Sequence, residues 1–191
     1  MSSLFASTMN TRYLPTGDEK YIRSDFPGKL TDGEVAWLRE NGVTTVVDLR
    51  DETEYRAKPC RLEREEGFEY YHMPVTGGGS VPDSPEDVAE RYIAMIDGRM
   101  NEIVDTIMNA PGKALYFCYA GKDRTGVVSA VILHRLGIDE DVMIGDYMET
   151  KENIMPTLIA FAETRPEVSL QTLIPKEGNI KRVLAALSAE K

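Results

Sequence analysis

The most chemically loaded stretch of the chain is Cys118-Tyr119-Ala120-Gly121-Lys122-Asp123-Arg124-Thr125-Gly126, which joins a short apolar run, Ala114 to Phe117, to an almost wholly apolar one, Val127 to Leu136. A strand that turns into a buried helix through such a segment can aim successive backbone N–H groups, from Tyr119 to Arg124, at one point, and the positive end of the helix adds to them. A dianionic phosphoryl group suits that cradle. Gly121 and Gly126 let the backbone curl and the helix pack closely. Five residues separate Cys118 from Arg124, a spacing that in a curled loop returns the guanidinium to the mouth facing the sulfur. There it can make two parallel N–H bonds to phosphoryl oxygens, which a lysine cannot reproduce. The same amides and helix end favour the Cys118 thiolate, the nucleophilic form. Thr125 stands where its hydroxyl could donate to that sulfur and improve it as a leaving group.

Cys-x5-Arg followed by Thr-Gly at a strand-to-helix junction resembles the phosphate-binding loop of the protein tyrosine phosphatase superfamily. The string from Ala120 to Gly126 is similar to that of the bacterial atypical branch, which acts on phosphotyrosine, phosphoserine/threonine and phosphoinositides. Ile22-Arg23-Ser24-Asp25, Leu30-Thr31, Val47-Asp48-Leu49-Arg50 with Glu54, and Asp146-Tyr147 agree in order, so the resemblance runs from Tyr21 to about Thr150. It implies an α/β fold with a central four- to five-stranded, mostly parallel sheet flanked by helices, and catalysis without a metal or other cofactor. It also implies a phosphocysteine intermediate on Cys118, with Tyr119, Ala120, Gly121 and Lys122 binding a phosphorylated protein or a phosphoinositide or inositol phosphate beside Arg124. Inorganic phosphate or sulfate could occupy the same loop.

The departing oxygen needs a proton. In many relatives an Asp supplies it from a loop just after the strand that here ends at Met73-Pro74-Val75, but this chain continues Thr76-Gly77-Gly78-Gly79, with no carboxylate before Asp83. The atypical branch carries an Asp inside the loop, and Asp123 matches it; Asp83 and then Asp87 are the other candidates. Lys122 would add charge for a second phosphate or an inositol ring. Phe117 stands where many relatives have His, which removes one hydrogen bond behind the nucleophile. With that departure and the missing loop Asp, the alternative is a phosphate-binding module without turnover. Rhodanese-like sulfur carriers and arsenate reductases share Cys-x5-Arg, but the former seldom carry Gly-Lys-Asp-Arg-Thr-Gly and the latter place the loop near the chain start.

The elements that must position this loop alternate short apolar runs with helical patterns, the signature of an α/β layered domain. Thr31-Asp32-Gly33-Glu34 is a capping box opening a helix to about Asn41, closed by Gly42. Thr44 to Leu49 and Glu69 to Val75 read as sheet strands, with the charged stretch Glu52 to Glu66 crossing between them as helix and loop. Thr76 to Pro85 reads as a mobile loop. A long helix follows from Ser84, broken near Gly98, and further helices are predicted over Glu140 to Thr150, Ile154 to Thr164 and Asn179 to Ala189. Asp48 and Arg50 fall at the C-terminal end of a strand, where α/β sites gather, or else form an ion pair fixing the helix of Glu54. Cys60 reads by default as a buried small hydrophobe, and by resemblance as a thiol able to form a disulfide with the nucleophile. His72 and His134 have no paired metal-ligand spacing.

The 191 residues fit a single domain, 1–191. A formal net charge of −10 repels nucleic acid and anionic membrane, so an anionic substrate must be captured by a compact local site. No apolar run is long enough to span a bilayer and the opening residues lack a secretion pattern, so the expectation is a cytoplasmic protein without a stable membrane anchor. Two cysteines, Cys60 and Cys118, are too few for a disulfide framework. If Cys118 is the nucleophile, Cys118→Ser abolishes phosphate release from a chromogenic aryl phosphate; release at the wild-type rate would remove Cys118 from the chemistry.

Overall fold

The computed structural model describes residues 3–79 and 82–189. Five strands form one sheet in the order β1-β2-β5-β3-β4: β1 Arg12–Tyr13, β2 Tyr21–Ser24, β3 Val43–Asp48, β4 Glu69–His72 and β5 Lys113–Phe117. Only β1 runs antiparallel to its neighbour; β2, β5, β3 and β4 are parallel. The register pairs Ser24 and Asp48 with Phe117, and Asp48 with His72, so the four parallel strands end level. Everything that follows them in sequence, Cys118 included, emerges on one edge of the sheet, where α/β folds place their sites.

The central strand β5 is buried on both faces, as its unbroken apolar sequence requires. Ala114 and Tyr116, followed by Cys118, face a core built with α3 Asp87–Ala94, α4 Gly98–Met108, α5 Asp123–Arg135 and α8 Glu177–Ala189. Leu115 and Phe117 point the other way, into a smaller core with Val35 and Leu38 of α1 Asp32–Glu40, Cys60 and Leu62. This is the period-two alternation of a strand between two helical layers.

The capping box of α1 is formed: the Glu34 N–H donates to the Thr31 hydroxyl at 3.2 Å, and the Thr31 N–H donates to the Glu34 carboxylate at 2.7 Å. Gly42, at φ +78°, follows the helix end. The break near Gly98 lies between α3 and α4, where the Asp97 side chain caps α4 by accepting the Met100 N–H at 2.9 Å. Two readings need correction. The helices predicted over 140–150 and 154–164 are one, α6 Glu140–Thr164, with Pro156 inside it. Lys151 and Glu152 are good helix formers, and Asn153, the weakest helix former of the three residues between the two predicted helices, donates its side-chain amide to Asn10 Oδ1 at 3.1 Å instead of to its own backbone. The buried helix after the loop begins at Asp123 rather than Val127, which places Arg124, Thr125 and Gly126 in its first turn. Strands β1 and β2 and the short helix α7 Leu170–Leu173 are additions to the sequence reading. Among the described residues no helix is long and apolar enough to cross a membrane.

Thr31→Ala removes one half of the α1 cap and should lower the unfolding free energy by about 1 kcal/mol. Chemical denaturation checks this, and an unchanged midpoint would show that the cap contributes nothing.

Candidate active site

The loop is tied from behind by its carbonyls. Gly121 sits at φ +65°, and a Cβ there would lie 2.7 Å from both the Asp25 nitrogen and the Ser24 carbonyl oxygen, so only glycine fits. Its carbonyl accepts the Asn10 side-chain amide and Arg23 Nη2, each at 2.9 Å. The Tyr119 carbonyl accepts the Phe26 N–H at 3.1 Å. Arg23 also pairs with Asp146 of α6, and Arg12 Nε reaches the same carboxylate at 3.2 Å. Burial lowers the Arg12 pKa to about 10, the nearby Arg23 charge adds to this, and Asp146 opposes it. Because the carbonyls are held outward, the amides of residues 119–125 donate to no acceptor among the described residues; the first that does is Gly126, to Lys122 O at 2.9 Å.

Arg124 is 6% exposed, and its two terminal nitrogens both bond to Glu54, Nη2 to Oε1 at 2.9 Å and Nη1 to Oε2. Burial alone would lower its pKa, but the Glu54 hydrogen bonds, with electrostatic contributions from Cys118, Glu54 and Asp123, raise it above the ordinary arginine value. A guanidinium carries five N–H groups; with one on each terminal nitrogen given to Glu54, the Nε–H and the second Nη2–H remain side by side on one edge and the second Nη1–H on the other. Glu54 in turn closes a capping box with Asp51 at the start of α2 Glu52–Ala57: its N–H donates to Asp51 Oδ1 at 2.9 Å and its carboxylate accepts the Asp51 N–H at 3.2 Å.

Asp48 and Arg50 hold that helix and do not line the pocket. They pair at 2.6 Å, both fully buried, while Arg50 Nη1 donates to the carbonyls of Lys58 at 2.9 Å and Glu54 at 3.3 Å. The Arg50 guanidinium lies 4.2 Å from the Phe26 ring centroid and 5.5 Å from that of Phe117. Phe117 therefore packs against a cation where a histidine would have hydrogen-bonded.

A cavity of about 200 Å³ opens over the loop, lined by Glu54, Gly78, Tyr119, Lys122, Asp123 and Arg124 among others, with Cys118 at 2% exposure at the base of the loop. A larger cavity of about 530 Å³ lies over Arg12 and Val142, and the buried Cys118 is in the lining of neither. Tyr119 is half exposed, and its hydroxyl accepts the Lys58 ammonium at 2.7 Å. Ala120 packs on a small cluster of Ile154, Leu158 and Leu173. Lys122 is buried; its ammonium donates to the Leu173 carbonyl at 2.6 Å and lies 3.1 Å from Asp123 Oδ1. Asp123 Oδ1 also accepts the Tyr92 hydroxyl, while Oδ2 has no hydrogen bond among the described residues.

Other expected residues lie differently. Thr125 Oγ1 is buried and has no hydrogen-bond partner among the described residues, so the expected donation to the Cys118 sulfur is absent. Asp83 is exposed and outside the cavity, and Asp87, also exposed, accepts the Ser84 hydroxyl at 2.6 Å. Cys60 is buried on the opposite face of the sheet from Cys118, and both thiols are free. The sequence reading missed Asn10, whose amide holds the loop, and the contact of Tyr92 with Asp123. Tyr92 is a buried position on the apolar stripe of α3, and a hydroxyl on such a stripe is the available signal. Among the described residues no three His, Cys, Asp or Glu side chains gather as metal ligands.

A sequence profile of the tyrosine phosphatase family matches residues 8–189. The chain belongs to that family. The triple specificity protein phosphatase PtpB of Mycobacterium tuberculosis is 29% identical over 173 residues, covering 71% of this chain and 62% of that protein. A tyrosine-protein phosphatase of Nostoc commune is 26% identical over 139 residues, covering 68% and 47%. The chain thus spans about half to three-fifths of the length of these relatives. The crystal structure of human DUSP28 aligns over 100% of this chain and 99% of its own at 15% identity, with a TM-score of 0.48.

Burial raises the Cys60 pKa from an ordinary 9.0 to about 11. The neutral thiol's preference for the folded state is therefore complete below pH 9 and is lost as pH rises through about 11. Cys60 should resist iodoacetamide in the native protein at neutral pH, and peroxide should leave Cys60 and Cys118 unlinked in a peptide map. A Cys60–Cys118 disulfide peptide would contradict this placement.

Proposed function

We propose that the chain is a cysteine-dependent phosphomonoesterase acting on phosphotyrosine, with a range that extends to phosphoserine/threonine or phosphoinositides. The observation that carries the reading is that the amides of residues 119–125 meet no acceptor among the described residues, in a loop that leads from Cys118 to a charged, Glu54-held Arg124. Such a site stabilises the equatorial oxygens of a phosphoryl group as charge builds on them during transfer.

In the first step the Cys118 thiolate attacks phosphorus, the S–P bond forms as the P–O bond to the alcohol or phenol breaks, and Asp123 gives its proton to the departing oxygen. The free Oδ2 is the oxygen suited to this, since Tyr92 and Lys122 both address Oδ1. In the second step water attacks the phosphocysteine, Asp123 takes a proton from it, and the S–P bond breaks to release phosphate and the thiolate. Arg124 contributes its remaining N–H groups to the phosphoryl oxygens in both steps.

Two features bear on the substrate. The half-exposed Tyr119 ring supports an aryl group beside the nucleophile. The Lys122 ammonium, occupied by Leu173 and Asp123, is held away from the second-phosphate role first expected of it. Both favour phosphotyrosine over an inositol ring, while the name of the mycobacterial relative supports the wider range.

A panel of a phosphotyrosine peptide, a phosphoserine peptide and a phosphoinositide, run with wild type and Asp123→Asn, tests the proposal. Turnover is expected to be fastest on phosphotyrosine, and Asp123→Asn should lower kcat there by about 100-fold, with a smaller loss on an aryl ester whose leaving group needs no proton. Undiminished turnover in Asp123→Asn would remove it as the acid. Binding without turnover across the panel would make the protein a phosphate-binding module instead.

A further inference from the structure

The turn after Val75 holds three consecutive glycines, and two of them lie against the chain of contacts that fixes Arg124. A Cβ on Gly78 would fall 2.5 Å from Arg124 Cγ and closer still to Cδ; one on Gly79 would fall 2.5 Å from Asp51 Oδ2. Neither glycine has a positive φ, whereas Gly77 does, at +71°, and a Cβ on Gly77 would meet nothing within 4 Å. At positions 78 and 79, then, the demand for glycine comes from space and not from backbone conformation. Cγ and Cδ are in the middle of the arginine stem. They can yield only by rotation about χ1 or χ2, which carries the guanidinium away from Glu54.

We propose that Gly78 and Gly79 are positioning residues for Arg124. Bare backbone at 78 lies along the arginine stem, and at 79 along the Asp51 carboxylate that caps α2 beneath Glu54. The turn is itself anchored, by the Gly78 N–H to the Val75 carbonyl at 3.3 Å. Glu54 fixes where the guanidinium ends and Gly78 fixes the path of its stem. Together they set how one edge of the guanidinium, with its Nε–H and second Nη2–H side by side, is presented to a ligand. Gly78 and Gly79, in the turn where many relatives carry a carboxylate, act on the reaction as a brace for the phosphate-binding arginine. This rests on the phosphate-gripping role given to Arg124 above.

The test reads Arg124 directly and then its consequence. In wild type the Nε–H resonance of Arg124, identified by its loss in Arg124→Lys, should be dispersed and slow to exchange. In Gly78→Ala it should shift or broaden away, and kcat/KM for an aryl phosphate should fall by about 100-fold. The inhibition constant for inorganic phosphate should rise alongside. Gly77→Ala, which strains the same turn without meeting Arg124, should keep the resonance. An unmoved resonance in Gly78→Ala, or an equal loss in Gly77→Ala, overturns the proposal. Should Gly78→Ala fail to fold, Gly79→Ala meets only the far end of Asp51 and must still shift the Arg124 resonance; if it does not, the proposal falls. A resonance that moves as expected in a wild-type background without phosphatase activity sinks the functional reading and leaves the positioning role standing.

Discussion

A loop that holds an anion through its amides must leave those amides unpaired by the protein, and a folded chain permits this only when something else fixes the loop. Buried N–H groups without acceptors cost free energy that helices and sheets normally avoid. Here the fixing is done through the carbonyls. Asn10 and Arg23 hold Gly121 from behind, and Phe26 holds Tyr119, so the inward-facing side of the loop stays open. Two buried arginines, one from β1 and one from β2, share the single carboxylate of Asp146, which ties the loop to the N-terminal part of α6. Removing one partner from so buried an arrangement would strand a charge, which is why the support behind the loop is coupled to the whole fold.

The second dependence runs through Arg124. An arginine free to rotate would lose much of its value as a clamp, because the entropy of fixing it would be charged against each binding event. Glu54 holds the guanidinium, Asp51 holds Glu54, and the buried Asp48–Arg50 pair holds the helix that carries both. Each link is an ion pair or a cap that is weak on a surface and stronger when buried and hydrogen-bonded. A chain with a net charge of −10 can therefore present one small positive site, since the field inside a cleft is set by the nearest fixed charges and dipoles and not by the distant total.

Much of this was legible from residues alone, for a reason that is itself local. Cys118, Gly121, Arg124 and Gly126 lie within one turn of chain, and a strand, a curl and a helix N-terminus leave few ways to arrange them. The sheet strands β3 and β5 and the capped helix α1 were likewise written in short-range patterns of apolar runs and caps. The two-residue strand β1 and the half-polar β2 carry no such pattern. They form because neighbouring strands complete their hydrogen bonds.

What the sequence by itself determined is the class of the loop and the identity of the groups in it, because covalent spacing confines them to one curl. What only the tertiary structure decided is which of those groups are free to act. Lys122 is occupied by a carbonyl 51 residues away, Arg124 is held by a glutamate 70 residues away, and Cys60 is separated from Cys118 by the sheet between them. The triple glycine reads in sequence as a mobile loop, and in the fold two of its residues are spacers against Arg124 and Asp51. Contacts of that range depend on how the sheet stacks its helices, and no local pattern of residues records them.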